Sequence, residues 1–238
     1  MAKRRLQEAI TAGDAVTAAQ LLADNPSLSL GGKAADENGF LVPLCFLAVL
    51  SHSVDTVKMF SDKQLRLLRA KGEETVLHVA CANGAPAEII SFLVDQNPSM
   101  LETKSATEDG GTPIYSTIRH GESKAELETL LALGANVNAV DDNGATPLII
   151  AVTCQKDDMC RVLVDNGANL EPEDRYGRNA LENAVRSSPA VFELLWDAYS
   201  ERNLLNSGMR DSLEKLIQQF PRCQETMEKC MKNKKSKK

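Results

Sequence analysis

Hydrophobic residues along this chain form short clusters at helical spacing, and turns rich in Asp, Asn and Gly separate the clusters. Residues 141–171 show the pattern most clearly. They open with a tight turn, Asp-Asp-Asn-Gly at 141–144, whose Asn and Gly tolerate a positive φ. Thr146 and Pro147 follow, and these residue types cap a helix and occupy its first position. The pattern predicts that a helix begins here.

The apolar positions that follow predict a pair of helices. Leu148, Ala151 and Val152 share one face of the first helix, and the small residue lets a neighbouring helix approach closely. A second apolar cluster at 160–164 ends at residues 166–167, Asn-Gly, which is typical of a left-handed C-cap. Each unit therefore exposes two apolar faces and is stable only between neighbours.

The same unit returns at a nearly constant interval. The leucine-like residue after each turn stands at Leu44, Leu77, Ile114, Leu148 and Leu181, in steps of 33, 37, 34 and 33 residues. Such a period indicates stacked supersecondary units. A stack builds a long recognition surface more readily than a closed catalytic pocket.

Two short patterns recur in partial form in these units, stretches similar to Thr-Pro-Leu-His-x-Ala near the start and to Gly-Ala-x-x-Asn near the end. Copies beginning near residues 73, 109 and 141 are the clearest; two more are degenerate, and the first copy begins without a turn at Leu6. Over roughly residues 4 to 200 the chain therefore resembles the ankyrin-repeat family. The matching residues are Thr75, Leu77, His78, Ala80, Thr112, Pro113, Ile114, Gly134, Ala135, Asn138, Thr146, Pro147, Leu148, Ala151 and, less completely, Gly167, Ala168 and Asn169.

The resemblance implies an all-α fold, a solenoid of about six helix-turn-helix repeats with a C-terminal helical cap. His78 matches the family histidine that bonds backbone between adjacent turns, so we expect it to be structural. The predicted regions are a solenoid over 1–200, with repeats near 1–35, 36–68, 69–105, 106–139, 140–172 and 173–203, then capping helices over 204–231 and a disordered Lys-rich tail at 232–238.

Charge is distributed unevenly. The chain has 27 Lys and Arg against 33 Asp and Glu, a net charge of −6, but residues from Pro221 onward carry seven basic and two acidic residues. The residues before Pro221 are therefore acidic overall, which argues against nucleic acid as the ligand of the repeat region. The Lys-rich tail has three interpretations, a solubility tail, a nuclear-import or anionic-surface patch, and a nucleic-acid arm. No apolar run is long enough to cross a bilayer, so we expect a cytoplasmic protein, with a nuclear location as the alternative.

No pattern of catalytic or metal-binding residues is evident. The six cysteines contain no C-x-x-C pair and the three histidines lie in different repeats, so neither zinc nor disulfides are predicted. A reactive Cys154 is the alternative for one thiol. Phosphate-loop, nucleophile-elbow and H-E-x-x-H motifs are absent from the sequence. We expect a monomer with no cofactor, no metal and no small-molecule substrate.

In the resemblance, turn tips and first helices line a concave face that binds protein partners. The alternative for each such residue is an ordinary solvated loop position. Two groups exceed that background because their residue types are enriched at binding hot spots. They are an apolar patch at Phe40, Leu41 and Val42 and an arginine-rich patch with one aromatic at Arg175, Tyr176, Arg178 and Arg186. The predicted partner-binding residues are Glu37, Asn38, Phe40, Lys71, Glu73, Asn83, Asp109, Arg119, His120, Asp142, Asn143, Arg175, Tyr176, Arg178 and Arg186.

The sequence thus predicts a non-catalytic protein-interaction module. A regulatory or substrate-recruiting subunit of an enzyme complex is the alternative, and direct membrane or nucleic-acid contact through the tail is a third. The long connections at 25–36 and 97–109, which both begin Asn-Pro-Ser, are either partner-binding loops or harmless excursions.

Overall fold

The computed structural model describes residues 1–31, 33–35, 41–60, 65, 74–106, 110–121, 123–220 and 224–233. The chain forms two compact units, unit 1 (Met1–Asn136) and unit 2 (Val137–Lys238). Several predictions lie outside the described residues, namely Glu37, Asn38, Phe40, Lys71, Glu73, Asp109 and the end of the Lys-rich tail from residue 234.

The described part of unit 1 contains four successive pairs of short helices. The first helices of the pairs pack on one another in one layer, and the second helices pack in another layer. This is the arrangement expected of stacked repeats, in which each pair buries its apolar faces against its neighbours. The helices are α1 (Ala2–Thr11), α2 (Ala15–Asp24), α3 (Leu44–Leu50), α4 (Val54–Lys58), α5 (Val76–Ala82), α6 (Ala87–Gln96), α7 (Pro113–His120) and α8 (Ala125–Ala132).

The described part of unit 2 continues the pattern with two helix pairs and two further helices. Here α9 (Pro147–Thr153), α11 (Ala180–Arg186) and α13 (Ser207–Ile217) form one layer, while α10 (Asp157–Asp165), α12 (Pro189–Glu201) and α14 (Gln224–Asn233) form the other. The last two helices therefore extend the two layers, although their sequence has no repeat signature. Leu213 and Ile217 are buried against the preceding pair.

The repeating apolar position is buried in each first helix that carries it. Leu44, Leu77, Ile114, Leu148 and Leu181 are all at most 3% exposed. These residues are the anchors that the period predicted. Helix pairing within each unit confirms the all-α ankyrin-type fold.

Local sequence explains where the first helices begin. Thr146 accepts a hydrogen bond from the backbone N–H of Ile149, and Pro147 occupies the first position of α9. In unit 1, Thr75 and His78 form a reciprocal capping box at the start of α5. The other ring nitrogen of His78, Nε2, lies 3.2 Å from the carbonyl of Gly111 in the next repeat. The structural role predicted for His78 is confirmed.

Two connections hold ordered structure that the sequence analysis did not predict. The first contains a short antiparallel sheet, β1 (Lys33–Ala35) with β2 (Leu41–Pro43), in which Ala34 is opposite Val42. The second contains a 3₁₀ helix, Pro98–Glu102, that buries Met100 and Leu101. The beginning of the 97–109 connection thus packs against the neighbouring helices of unit 1, because it contains two apolar side chains within a mostly polar sequence.

Candidate functional site

The turn before α11 carries the most exposed large aromatic side chain among the described residues. Asp174 organises this turn, because its Oδ1 accepts hydrogen bonds from the backbone N–H groups of Tyr176 and Arg178 at 2.8 and 3.1 Å. Gly177 follows at φ 69°, a conformation that favours glycine. The turn holds Tyr176 at its tip, where the residue is 64% exposed.

Two guanidinium groups fix the orientation of the Tyr176 ring. The Arg175 guanidinium carbon lies 4.9 Å from the ring centroid and that of Arg178 lies 4.7 Å away, both within the range of cation–π attraction. Arg175 also donates to the Tyr176 hydroxyl at 2.8 Å and to Asn143 Oδ1, on the preceding turn, at 3.3 Å. The structure therefore brings together four predicted contact residues, Asn143, Arg175, Tyr176 and Arg178, which we call the Tyr176 cluster.

Arg178 has a structural role as well. Its Nε and Nη2 donate to Asp174 Oδ2 at 3.2 and 2.9 Å, and Asn183 donates to the same oxygen at 3.2 Å. Burial alone would raise the pKa of Asp174, but hydrogen bonds from Arg178, Tyr176 and Asn183 lower it overall. Replacing Arg178 would therefore disturb the turn, so it cannot serve as a pure probe of partner binding.

Two further predicted contact residues of unit 2, Arg186 and Asp142, are not part of the Tyr176 cluster. Arg186, grouped with Arg175 and Arg178 from the sequence, instead lies with its guanidinium 4.9 Å from the Phe220 ring. Arg186, at the end of α11, thus packs on Phe220, which follows α13. The sequence gives no sign of this contact because the two residues are far apart in the chain. Asp142 is exposed at the tip of the preceding turn.

In unit 1, three predicted residues border two neighbouring pockets. Asn83 and His120 line a pocket of about 480 Å³ together with Ala82, Gly84, Ser123 and Glu126. His120 also lines a second pocket of about 220 Å³, with Arg119, Glu74, Ser105, Tyr115 and Ser116 among its other residues. His120 is common to both pockets.

Sequence reasoning missed Glu74, Ser123 and Glu126. These residues lie at helix starts and in connections, where polar types are expected on any soluble repeat. Burial raises the pKa of Glu74, and the nearby charge of His120 partly offsets that increase. A raised carboxyl pKa depends on tertiary packing and leaves no signal in a single sequence.

The cysteines behave as small apolar residues. Cys45, Cys81 and Cys160 are buried, and burial raises the pKa of each thiol to about 12. Such thiols are inert at neutral pH because the thiolate is the reactive form. Cys154 is exposed. The described residues include no group of His, Cys, Asp and Glu side chains that could hold a metal ion, and no helix among them is long and apolar enough to cross a membrane.

Comparisons with known proteins agree with this geometry. A family model for ankyrin repeats, in three copies, matches residues 123–206. The chain is 32% identical over 109 residues to protein phosphatase 1 regulatory subunit 12A of Rattus norvegicus, an alignment covering 46% of this chain and 10% of that protein. It is 30% identical over 190 residues to a B-cell lymphoma 3 protein homolog of Mus musculus, covering 78% of this chain and 40% of that protein.

A solved structure shares the fold. A chain in the structure of a predatory endopeptidase from Bdellovibrio bacteriovorus in complex with an immunity protein superposes with a TM-score of 0.64 at 24% identity, covering 83% of this chain and 97% of that one. The two curated relatives are much longer than the aligned region. Repeated turns, paired helices in two layers, the family match and the relatives together identify the chain as an ankyrin-repeat protein.

Proposed function

We propose that this protein is a non-catalytic interaction module that binds a partner protein on the surface formed by its turn tips and first helices. The observation that carries the proposal is Tyr176, an aromatic ring 64% exposed at a turn tip and held by two guanidinium groups. Tyrosine is enriched at binding hot spots, and this ring is both accessible to a partner and already oriented.

The chemistry of the Tyr176 cluster fits a binding hot spot. Tyrosine and arginine are enriched at such spots because they supply large contact areas together with hydrogen-bond donors. A ring held before binding also loses little side-chain entropy when the partner arrives. Arg175 keeps donor groups at the rim of the ring, where they can meet carbonyl or carboxylate oxygens of a partner.

The relatives support a protein partner. One is named as a regulatory subunit of a protein phosphatase, which is a role within an assembly. Ankyrin repeats are protein-interaction modules, and the fold offers each repeat's turn as a variable position on a constant scaffold. A cytoplasmic location, with the nucleus as the alternative, is part of the same proposal.

Site-specific photo-crosslinking of the full chain tests the proposal. A photoreactive phenylalanine analogue at position 176 should capture a protein in the source cell. The same analogue at Arg161, an exposed position on the second-layer helix α10, is the matched control. Capture of the same protein from Arg161 but not from Tyr176 would overturn the proposed surface. Once the partner is known, Tyr176→Ala should weaken its binding by about 2 kcal/mol.

A second function is a regulatory or substrate-recruiting subunit of an enzyme complex, which the named phosphatase subunit favours. In that case the exposed side of α13 is a natural second contact, because this helix closes the described first layer of unit 2. Arg210 and Lys215 are exposed there. Charge reversal at both residues should release an enzyme subunit, while a protein bound to the turn tips and first helices should stay bound. Deletion of the helix would be uninformative, since it would uncover the apolar face that Leu213 and Ile217 protect.

A further inference from the structure

The larger pocket of unit 1 is rich in hydrogen-bond acceptors. It lies where the connection after α5 meets the connection between α7 and α8, and Asn83, Ser123 and Glu126 are among its lining residues. The Asn83 side-chain nitrogen donates to the carbonyl of Val79 at 2.8 Å, which leaves its Oδ1 as the acceptor atom of this side chain. Ser123 Oγ accepts from the backbone N–H of Ala125 at 3.1 Å.

Glu126 gives the pocket a carboxylate. Its Oε2 is buried and has no hydrogen-bond partner among the described residues. The other oxygen, Oε1, lies beside Gly84, where a built Cβ would stand 3.7 Å from it. Because residue 84 has no side chain, the space next to Oε1 stays open. A cation that reached Oε1 would stabilise a carboxylate whose other oxygen has lost water and gained no donor.

The neighbouring pocket differs in its balance of charge. There Glu74 shares the lining with Arg119 and His120, and the charge of His120 acts on the Glu74 carboxyl. A basic group thus already acts on the acidic group of this pocket. In the larger pocket Glu126 shares the lining with only one residue of basic type, His120, among the described residues. Of these two pockets, the larger has the greater excess of acceptor groups among its described lining residues.

We propose that the larger pocket is a binding site for an arginine side chain of the partner protein. The guanidinium has five N–H donors in a planar fork and no acceptor, which complements Glu126, Asn83 and Ser123. A volume of about 480 Å³ leaves room for the side chain together with water. This inference rests on the proposed protein-binding function, and it assigns the partner one anchoring residue type.

The test uses a peptide in place of the unidentified partner. Acetyl-Gly-Arg-Gly-amide is titrated into the nitrogen-labelled full chain, and amide NMR shifts are followed at Gly84, Ser123 and Glu126. We expect saturable shifts that cluster at these residues. The same peptide with citrulline, which keeps the shape and loses the charge, should produce none that saturate.

Matched variants identify the carboxylate. Glu126→Gln keeps the side-chain shape and should weaken the arginine peptide about tenfold, because charge-assisted hydrogen bonds are lost. Glu128→Gln on the same helix removes an exposed carboxylate paired with Lys124 at 3.2 Å and should leave the affinity unchanged. Ser123→Asp adds a second carboxylate and should tighten binding a few-fold even if Glu126→Gln proves difficult to fold.

Three results would overturn the inference, namely equal shifts with citrulline, equal affinity in parent and Glu126→Gln, or equal weakening in both Glu variants. The peptide experiment also separates this inference from the proposed function. If the arginine peptide binds but no protein is cross-linked at position 176, the arginine site is supported and the proposed function is contradicted. If a protein is cross-linked at position 176 but the peptide does not bind, the proposed function is supported and the arginine site is contradicted.

Discussion

Two turns of unit 2 share the same backbone hydrogen bonds but carry different side chains at their tips. In Asp141–Ala145 and in Asp174–Arg178, the first aspartate accepts from the N–H groups two and four residues later, at 2.9 and 2.9 Å in one turn and 2.8 and 3.1 Å in the other. The backbone N–H of each aspartate donates to the carbonyl of the fifth residue. A glycine at positive φ, 77° and 69°, stands fourth in both.

The two residues between aspartate and glycine differ completely. They are Asp142 and Asn143 in one turn, and Arg175 and Tyr176 in the other. Since the same hydrogen bonds form in both, the turn does not depend on what stands at these positions. The comparison teaches that Asp and Gly build the turn, while the two tip residues are available for recognition.

Removing the support beneath the first turn should have the largest effect. Leu148 is fully buried in α9, so Leu148→Ala should lower the free energy of unfolding by roughly 2 to 5 kcal/mol, through lost burial and the cavity left behind. Hydrogen exchange measures where the loss is felt. In a stack it should appear first in the adjoining repeats, whereas equal changes in α1 and α9 would contradict the stacked architecture.

Removing the turn-forming aspartate should have the next effect. Asp174→Ala leaves the N–H groups of Tyr176 and Arg178 and the Arg178 guanidinium without their acceptor, so we expect a loss of about 1–3 kcal/mol in chemical denaturation. Asp142→Ala, at an exposed tip, should change stability by less than about 0.5 kcal/mol. A comparable loss at both positions would show that the turn-former and the tip are not distinct.

Low pH should abolish the contribution that the Asp174 charge makes to the stability of the fold. The pKa of Asp174 is lowered in the folded state, so its charge stabilises the fold above the unfolded pKa of about 3.9 and stops doing so as the pH falls through the folded value. Asp174→Asn keeps an acceptor oxygen but loses the charge. The stability difference between parent and variant should be steady near neutral pH and shrink below about pH 4. A difference that increased toward acid would contradict the assignment.

Exchanging the tips should have the smallest effect on folding. Arg175→Asp with Tyr176→Asn copies residues 142–143 onto the second turn and should change the free energy of unfolding by only about 0.5 kcal/mol, because exposed cation–π contacts contribute little. Binding of the cross-linked partner should nevertheless be lost. Thermal unfolding and affinity measured on the same sample check both outcomes, and a large loss of stability would mean that the tip also holds the turn.

Much of the fold follows from local sequence. Thr146 and Pro147 start α9, and Leu148 faces the core, because caps and helical periodicity act over a few residues. The sheet of β1 with β2 and the 3₁₀ helix at 98–102 could not be predicted in that way. They lie in connections where the repeat pattern stops, so pairing and packing with the rest of unit 1 determine their structure.

The candidate sites were predicted unevenly for the same reason. The Tyr176 cluster lies within one repeat and its neighbour, so the repeat register placed three of its residues at one turn and Asn143 at the adjoining turn. The sequence also grouped Arg186 with them and gave no sign of its contact with Phe220, because that contact joins residues far apart in the chain. Glu126 and Gly84 meet across two repeats, which no local pattern reveals.

Local sequence accounts for the repeat, its turns and the buried leucine-like residue at each repeated position, because these depend on residue types at short and regular spacing. Helices after residue 204 were also predicted, but tertiary structure decided how they pack, with α13 extending one layer of unit 2 and α14 the other. It also decided which polar groups lose solvent. Burial of Glu74 and of the Glu126 oxygen results from helices packing against each other, and desolvation is a property of the packed surroundings rather than of the residue.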